Sequence, residues 1–260
     1  MRDPYPGAVV VVTGAASGIG AALVTALGSR GADVVAADVN AEGLDALAGS
    51  VVGRVTTAVL DVSDDGAVGW LLEGVAAKHG RLDFVFNNAG IVAGGDFDLT
   101  YEDVWRRVVD VNLWGVVNGT RAAYALMLRQ GSGHIVNTSS SAGVMPVAQS
   151  VAYATTKHAV MGLSTSLRAE ARHKGVRVSV VLPGVVDTGI FDAAANTDDY
   201  DYARAIDRVP FAKISPAKAA AYILDGVAKN KQQIVFPFYN KVLCSLTRLM
   251  PSVMSRVINP

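Results

Sequence analysis

The sequence predicts an α/β fold, in which a parallel sheet carries helices on both of its faces. Short β-branched runs alternate with longer helical segments along the 260 residues. Most of the short runs are apolar throughout, as expected of strands covered on both faces of a sheet. Repeated strand–helix units imply right-handed crossovers between parallel strands. No repeat, low-complexity tract or linker interrupts this alternation, so we expect one domain over residues 1–260.

Seven runs have the composition of strands, and the clearest helical segments lie between them. The predicted strands are Ala8–Thr13, Asp33–Asp38, Arg54–Asp61, Leu82–Asn87, His134–Ser139, Val176–Leu182 and Gln233–Pro237. The predicted helices are Ile19–Arg30, Glu102–Arg129, Tyr153–His173 and Pro216–Lys229. Ser215 before Pro216 is typical of a helix N-cap followed by proline at the first helical position.

Composition excludes several classes of protein. Lys plus Arg equals Asp plus Glu at 23 each, so no basic excess favours nucleic acid as a partner. The single cysteine, Cys244, rules out an internal disulfide and fits a reducing compartment. Apolar residues make up 51% of the chain, yet no run approaches the ~20 residues of a membrane helix. The first apolar run, Ala8–Val12, is too short for a signal peptide, and we expect a cytoplasmic protein. The four histidines lack metal-ligand spacing, so no metal is expected.

A glycine-rich turn joins the first predicted strand to the first predicted helix. It reads Thr13-Gly14-Ala15-Ala16-Ser17-Gly18-Ile19-Gly20. Glycine permits a tight turn and close approach to a pyrophosphate, and the helix N-terminus offers free N–H groups and partial positive charge to that anion. Dinucleotide binding is one interpretation of this turn. A sharp structural loop is the other, since the G-x-x-x-G-x-G spacing departs from G-x-G-x-x-G.

Asp38, at the end of the second predicted strand, favours the dinucleotide interpretation. It lies 18 residues after Gly20, where a carboxylate can accept hydrogen bonds from both hydroxyls of the adenosine ribose and would repel a 2′-phosphate. No Arg or Lys occupies Gly14–Gly20 or the two residues after Asp38. The sequence therefore predicts NAD rather than NADP. A structural alternative is a cap for the helix starting at Ala41, which Asn40 would serve equally well.

Tyr153 and Lys157 are candidates for acid–base chemistry. They stand at i and i+4, on one face of a predicted helix. The ordinary pKa of tyrosine is near 10, and a nearby ammonium with a positively charged nicotinamide would lower it. Ser140 lies 13 residues before Tyr153 at a predicted strand end, where its hydroxyl could bond the substrate oxygen. Without Ser140, the pair would be typical of an exposed face of an amphipathic helix.

Together these motifs resemble the short-chain dehydrogenase/reductase family, in its short single-domain branch. They follow the family's order over residues 8–188: Thr13–Gly20, Asp61-Val62, Asn87-Asn88-Ala89-Gly90, Asn112, Ser140, Tyr153-x-x-x-Lys157 and Pro183-Gly184-x-x-x-Thr188. The resemblance implies a Rossmann-like, doubly wound sheet of seven parallel strands. It also implies a homo-oligomer, commonly a homotetramer, with a dimer as the alternative.

The resemblance assigns roles to four catalytic residues. Tyr153 is implied to be the acid–base, and Lys157 to hold the nicotinamide ribose and lower the pKa of Tyr153. Ser140 is implied to orient and polarise the substrate oxygen; its spacing to Tyr153 selects it over the serines on either side. Asn112 is implied to support a water that links Lys157 to solvent.

The resemblance also implies where the cofactor binds. Asp61 and Val62 are expected to contact adenine, and Asn88 the ribose on the adenosine side. The backbone of Val186 and the side chain of Thr188 are expected to bind the nicotinamide carboxamide. The full predicted cofactor set is Gly14, Ser17, Gly18, Ile19, Gly20, Asp38, Asp61, Val62, Asn88, Ala89, Gly90, Tyr153, Lys157, Val186 and Thr188.

Residues 188–214, which we name the lid segment, form a connection longer than ordinary loops. Such a connection is typical of a functional lid or of disorder. The segment directly follows a strand end, at the edge where ligands bind in such sheets, and this favours a substrate lid.

The C-terminal tail, residues 239–260, has a basic amphipathic pattern. From residue 226 onward the chain has no acidic residue, and its cations are Lys229, Lys231, Lys241, Arg248 and Arg256. Apolar residues recur at three- and four-residue steps, namely Leu243, Leu246, Met250, Val253 and Val257. Pro251 should divide the tail into two short helices. Three roles are open: packing on a partner subunit, a wall of the substrate pocket, or peripheral docking on an anionic membrane surface.

The sequence as a whole predicts an NAD-dependent oxidoreductase that interconverts a secondary alcohol and a ketone. Val144–Val147 after the catalytic strand, with Ile190 and Phe191 in the lid segment, indicate a lipophilic substrate that is steroid-like, terpenoid or acyl. A non-catalytic NAD-binding sensor is an alternative, as is a lyase or epimerase that uses bound NAD transiently. The complete set of catalytic residues favours the oxidoreductase.

Overall fold

Parallel strands and flanking helices alternate through the computed structural model, which describes residues 3–197, 200–207 and 212–258, with side chains to residue 255. The strands are β1 Val9–Thr13, β2 Asp33–Asp38, β3 Arg54–Val59, β4 Phe84–Asn87, β5 Ala93–Gly94, β6 Gly133–Thr138, β7 Val176–Pro183, β8 Ala195–Asn196 and β9 Gln233–Phe236. The helices are α1 Gly18–Ser29, α2 Ala41–Ser50, α3 Asp65–His79, α4 Glu102–Val109, α5 Gly115–Gln130, α6 Val151–Glu170, α7 Tyr202–Asp207, α8 Pro216–Ala228, α9 Phe238–Leu249 and α10 Pro251–Ile258.

The central sheet has seven parallel strands in the order β3–β2–β1–β4–β6–β7–β9. This confirms the predicted doubly wound α/β fold. β1 shows why the strand runs are apolar throughout: Val10 and Val12 pack into the core on one face, while Val9 and Val11 pack into the core on the other. Both faces are buried because helices cover both.

The strand order reverses at β1. From β1 the sheet is built through β2 to β3 on one side and through β4 to β9 on the other. Chain segments therefore leave the carboxyl ends of β1 and β4 in opposite directions. A crevice forms at such a switch point, and ligands bind there in open α/β sheets.

The long predicted helix Glu102–Arg129 is interrupted by a different helical form. α4 and α5 are joined by a π-helical turn over Asp110–Trp114. Turns of this kind occur often at functional sites, because the inserted residue changes the direction of the side chains around it. Asn112 lies in the middle of this turn.

The described parts of the lid segment are attached to the loop that follows β4. β8 pairs with β5, with Ala195 opposite Ala93 and Asn196 opposite Gly94. The rings of Tyr200 and Tyr202 pack so closely on Gly94 that any side chain there would overlap them. Residues 198–199 and 208–211 of the segment lie outside the described residues.

The tail folds as two helices, α9 and α10, which meet at Pro251 as predicted. The predicted apolar stripe identifies the buried face only in part. Leu243 and Leu246 are half-buried, but Met250 and Val253 are exposed, and the fully buried positions are Asn240, Cys244, Thr247 and Met254; the side chain of Val257 lies outside the described residues. Asn240 is polar but satisfied: it donates from Nδ2 to the carbonyl oxygens of Leu182 and Phe236, 3.0 and 3.2 Å away. Hydropathy alone does not reveal a polar side chain that is buried with its hydrogen bonds made.

None of the helices in the described part of the chain combines the length and the apolar character needed to cross a bilayer.

Candidate active site

A cavity of about 400 Å³ opens at the carboxyl edge of the sheet, at the switch point between β1 and β4. Fifteen predicted site residues line it: Gly14, Ser17, Gly18, Ile19, Asp38, Asp61, Val62, Asn88, Ala89, Gly90, Ser140, Tyr153, Lys157, Val186 and Thr188. Gly20 and Asn112 are the two predicted residues that do not line it, and both lie directly behind the cavity wall.

The glycine-rich turn after β1 has the backbone geometry that its glycines predict. Gly14 adopts a φ of +65°, and a Cβ there would lie 2.7 Å from the Cα of Ala89. A Cβ on Gly20 would overlap the carbonyl oxygen of Gly14. Gly14 therefore allows the turn, and Gly20 allows the first turn of α1 to pack against it. The resulting cradle leaves the N-terminus of α1 facing the cavity, as the binding of a pyrophosphate requires.

Asp38 connects the end of β2 to this turn. Its Oδ2 accepts a hydrogen bond from the backbone N–H of Ala16 at 3.0 Å, and its Oδ1 accepts one from the N–H of Asn40 at 3.0 Å. The capping role belongs to Asn40, whose side chain accepts from the N–H of Gly43. The capping alternative for Asp38 is therefore wrong, and its carboxylate is fixed beside the glycine turn.

Asn88 and Ala89 hold the turn from β4. The Thr13 hydroxyl accepts hydrogen bonds from the N–H groups of Asn88 and Ala89 at 3.0 and 3.1 Å. Asn88 Nδ2 donates to the carbonyl oxygen of Thr13 at 3.2 Å and lies 3.4 Å from that of Gly14. The amide of Asn88 thus fixes the turn, a role that sequence reasoning did not assign. Its predicted contact with the ribose stays a prediction.

Asp61 and Val62, the predicted adenine contacts, line the cavity together with Arg107. Hydrogen bonds from the side chain and backbone of Ser63, together with the Arg107 guanidinium, hold the pKa of Asp61 below its usual range. Arg107 Nη1 lies 3.4 Å from Asp61 Oδ2. Sequence reasoning missed Arg107, because it lies 46 positions from Asp61 on a different element.

Thr188, a predicted contact of the nicotinamide carboxamide, lies close to the glycine turn. A Cβ on Gly18 would lie 3.0 Å from the Thr188 methyl group. Val186, two residues before the lid segment, forms a β-bridge with Ile214 at the end of that segment. The predicted carboxamide contacts therefore lie next to the predicted pyrophosphate turn, on the same cavity wall.

The three serines after β6 have different surroundings. Ser139 is buried and donates its hydroxyl hydrogen to the carbonyl oxygen of Lys157 at 2.7 Å. The Ser140 hydroxyl accepts from the N–H of Ala142 at 3.2 Å, and the Ser140 side chain acts to lower the pKa of the Tyr153 hydroxyl. Ser139 is therefore occupied within the protein, while Ser140 faces the phenol at the cavity. Geometry and sequence spacing select the same serine.

Tyr153 and Lys157 lie on the first turns of α6, one turn apart. Lys157 Nζ lies 5.4 Å from the centroid of the Tyr153 ring and donates to the carbonyl oxygen of Thr138 at 3.1 Å. The lysine is 3% exposed although it carries a charge. Burying an ammonium costs free energy unless hydrogen bonds or an opposite charge compensate for the lost water. Buried titratable groups of this kind are typical of functional sites, so the position of Lys157 beside the phenol indicates a functional pair.

Burial dominates the acid–base properties of this pair in the protein without cofactor. It raises the pKa of the Tyr153 hydroxyl, an effect opposed by the hydrogen bond from Ser140. Burial also lowers the pKa of Lys157 to about 8. The lowered tyrosine pKa predicted from the sequence would therefore require the positive charge of a bound nicotinamide in addition to that of Lys157.

Asn112 supports the site from behind. Its Oδ1 accepts from the N–H of Ile91 and its Nδ2 donates to the carbonyl oxygen of Ile91, both at 2.8 Å. A Cβ on Gly90 would lie 3.2 Å from Asn112 Oδ1 and 3.3 Å from Lys157 Nζ. Gly90 therefore keeps open the space that the amide oxygen and the ammonium share. The predicted water at Asn112 stays a prediction.

Many of the other residues that line the cavity are apolar. The wall includes Val92, Val147, Ile190, Phe191, Ala193 and Ile206. Of the predicted run Val144–Val147 only Val147 is part of the wall. Tyr202, which was predicted only as part of the lid, also lines it; its ring stacks on Phe191 with centroids 5.5 Å apart.

Within residues 3–197, 200–207 and 212–258, no group of three or more His, Cys, Asp or Glu side chains is arranged to hold a metal ion.

Several known proteins are similar to this chain in sequence or in structure. A sequence model described as short chain dehydrogenase matches residues 8–199. The putative oxidoreductase SadH of Mycobacterium tuberculosis is 38% identical over 264 residues, which cover 98% of this chain and 95% of that protein. The D-threitol dehydrogenase of Mycolicibacterium smegmatis is 40% identical over 186 residues, 70% of this chain and 71% of that protein. A crystal structure of a short chain dehydrogenase/reductase from Burkholderia phymatum in complex with NAD matches with a TM-score of 0.87 and 27% identity, covering 100% of this chain and 99% of that one.

Proposed function

Because the chain belongs to the short-chain dehydrogenase/reductase family, we propose that it is an NAD-dependent oxidoreductase that interconverts a secondary alcohol and a ketone. One observation carries the proposal. The side chains of Ser140 and Tyr153 both line the cavity, Ser140 lowers the pKa of the Tyr153 phenol, and Lys157 Nζ lies 5.4 Å from the centroid of the phenol ring. These are the groups that must act on a carbinol oxygen, and they lie next to the glycine turn.

Each of these residues has a defined task. In the oxidation direction, the Tyr153 phenolate accepts the proton of the substrate hydroxyl, and Ser140 donates a hydrogen bond to the same oxygen. Lys157 stabilises the phenolate by its charge. A nicotinamide held at Val186 and Thr188 would supply the acceptor for the hydride of the carbinol carbon. In the reduction direction, the Tyr153 hydroxyl returns its proton to the carbonyl oxygen.

The residues present fit NAD. The turn at Gly14–Gly20 leaves room for a pyrophosphate against the N-terminus of α1. Asp38 is fixed beside this turn, where its carboxylate could accept hydrogen bonds from the hydroxyls of the adenosine ribose. Its carboxylate would repel the 2′-phosphate of NADP. Support also comes from the related Burkholderia protein, which was crystallised with NAD.

We propose a neutral, lipophilic substrate. The charged residues among the described cavity lining are Asp38, Asp61, Arg107 and Lys157. Each of them is accounted for by the cofactor or by the acid–base pair. Among the described residues of the cavity lining, no further cation is left to bind an anionic substrate. Burial of a steroid-like, terpenoid or acyl chain against the apolar wall would instead stabilise the complex, because apolar surface is removed from water.

Two measurements test the proposal. With NAD and a panel of lipophilic secondary alcohols, the wild-type protein should form NADH, and Tyr153→Phe should lower turnover by at least about a hundredfold. The affinity for NAD should remain within about threefold, because the ring and its packing are retained. A Tyr153→Phe enzyme with full turnover would contradict the mechanism. NAD binding by the wild type without turnover of any alcohol or ketone would favour the sensor alternative.

We also propose that the protein assembles as a homo-oligomer, a tetramer or a dimer, since the family commonly does so. Light scattering on the purified chain gives the assembly mass directly. A monomer at micromolar concentration would contradict this part of the proposal.

A further inference from the structure

The solvent-facing side of α9 carries large apolar side chains. Phe238 and Leu249 are 79% and 77% exposed, and Val242 is also exposed. On a helix that turns 100° per residue, these three lie within about 40° of one another. They face away from Asn240, Cys244 and Thr247, which are the buried side of the same helix. We name Phe238, Val242 and Leu249 the outer face of α9.

Positive charge borders this face. Lys241 and Arg248 are exposed beside it, and Arg248 Nη1 lies 2.8 Å from the Gln233 side chain, close to Lys231 in the sequence. No acidic residue occurs from residue 226 to residue 260. An apolar stripe bordered by cations alone is the pattern of a helix that lies in the interface of an anionic membrane.

The structure argues against two other occupants of this face. None of the described residues that line the cavity belongs to α9 or α10, so the described part of the tail does not line the pocket. A two-fold contact through this face would bring Lys241 and Arg248 of both copies into the same interface. The outer face has no carboxylate to neutralise them, so this contact would be repulsive.

We propose that the outer face of α9 docks on a membrane surface that carries anionic phospholipid headgroups. Phe238, Val242 and Leu249 would enter the interface, and Lys241 and Arg248 would contact the headgroup charge. α9 starts at the carboxyl edge of the sheet, where the Tyr239 hydroxyl accepts a hydrogen bond from the N–H of Val185 at 3.3 Å. Docking would therefore bring the cavity edge of the sheet close to lipid. The proposal stands independently of the reaction catalysed.

Co-sedimentation of the purified full-length protein with vesicles tests this docking. The protein should pellet with vesicles of phosphatidylcholine and phosphatidylglycerol, and much less with phosphatidylcholine alone. Raising the salt concentration from about 0.1 to about 1 M shortens the Debye length from about 10 to about 3 Å. This screening should release the protein from the vesicles. Each of Phe238→Ser and Leu249→Ser should weaken partitioning about tenfold, because a large apolar side chain leaves the interface.

A matched control comes from Trp70, which is 81% exposed on α3. Trp70→Ser removes an equally exposed apolar side chain from another face and should leave vesicle binding unchanged. Lys241→Gln with Arg248→Gln should remove the preference for phosphatidylglycerol while leaving the fold intact, since both side chains are exposed. NADH formation without vesicles should be the same in the wild type and these variants.

Two outcomes would overturn the proposal. One is equal pelleting of the wild type and the Phe238→Ser/Leu249→Ser double variant. The other is absence of vesicle binding together with a smaller assembly mass for the double variant in light scattering, which would assign the outer face to a subunit interface. Neither outcome depends on whether Tyr153→Phe abolishes turnover, so failure of docking and failure of the proposed reaction are distinguishable.

Discussion

The hydroxyl of Ser150, the N-cap residue of α6, lies 2.9 Å from the hydroxyl of Tyr202 on the lid segment and does not cap its own helix. An N-cap serine ordinarily accepts a hydrogen bond from a free N–H of the first helical turn. Here it also lies 3.3 Å from the carbonyl oxygen of Ala93, on β5. One buried hydroxyl thus connects the lid segment, β5 and the helix that carries Tyr153.

Tyr202→Phe should loosen the lid segment while leaving the fold intact. Ser150 can then cap α6, so we expect a change of less than about 1 kcal/mol in the free energy of unfolding. Loss of one hydrogen bond should lower kcat/KM for the alcohol about three- to tenfold, chiefly through KM. Tyr200→Phe is the matched control, because Tyr200 packs edge-on against Tyr202 in the same segment. An equal effect of both variants would contradict a specific role for the Ser150–Tyr202 contact.

Asp38→Ala should weaken NAD binding and reduce discrimination against NADP. Hydrogen bonds to a charged group contribute about 1.5–3 kcal/mol, so the Kd for NAD should rise about tenfold to a hundredfold. Loss of the negative charge should leave the Kd for NADP unchanged or lower it. Calorimetric titration with both cofactors measures the ratio. Asp45→Ala on the exposed side of α2 controls for net charge, and an unchanged NAD to NADP ratio in Asp38→Ala would refute the assignment.

Lys157→Met should move the pH dependence of alcohol oxidation to higher pH. The ammonium stabilises the Tyr153 phenolate, and burial already raises the pKa of this hydroxyl. At a pH below that pKa, each unit by which the pKa rises reduces the phenolate fraction about tenfold. Turnover at pH 8 should therefore fall at least about tenfold. The pH profile of kcat separates this effect from a purely structural one, which would lower the rate equally at all pH values. Lys229→Met, at an exposed ion pair, serves as the control.

Gly14→Ala should destabilise the protein and abolish cofactor binding. The φ of +65° costs a residue with a Cβ about 1–2 kcal/mol, and that Cβ would lie 2.7 Å from the backbone of Ala89. Urea unfolding measures the first effect and NAD titration the second. Gly74→Ala gives the contrast, since a Cβ on Gly74 in α3 meets nothing within 4 Å. That substitution should stabilise the protein by about 0.5–1 kcal/mol, and a loss of stability there would contradict the helical geometry.

Stability should fall as the pH is lowered from about 6.5, because His134 is buried without charge. Burial lowers its pKa from 6.5 to about 3, and its Nε2 lies 2.8 Å from the Ser179 hydroxyl. The unfolded chain therefore binds a proton that the folded chain does not. This contribution to stability is complete above about pH 6.5 and is lost as the pH falls towards 3.

Comparison with His134→Gln isolates this contribution. Between pH 6.5 and pH 5, the wild type should lose about 2 kcal/mol more of its free energy of unfolding than the variant, at about 1.4 kcal/mol per pH unit. Urea unfolding at the two pH values gives the difference. His173→Gln, at an exposed position, should retain the wild-type slope. Parallel pH dependences for the wild type and His134→Gln would show that His134 is not the group responsible.

Much of the site was predictable because its signals are local. A turn that must adopt positive φ needs glycine, and β1 with Gly14 satisfies this within a few residues. The i, i+4 spacing of Tyr153 and Lys157 is likewise a property of one helix. The contacts between Arg107 and Asp61, and between Ser150 and Tyr202, join residues about 50 positions apart on different elements. No pattern in one sequence specifies such pairs.

The sequence by itself therefore determined the α/β class, the order of the strands along the chain, the family, and the identity of the residues proposed for catalysis. These follow from backbone preferences and from short-range periodicity, which depend on near neighbours only. Tertiary structure alone decided which groups Ser139, Asn88 and Asp38 hydrogen-bond, and which side of α9 meets solvent. Burial and hydrogen bonding decide these, and both depend on residues distant in the chain. α9 shows the difference most clearly: its apolar stripe was visible in the sequence, but the buried positions were Asn240, Cys244 and Thr247, and Phe238 was left outside.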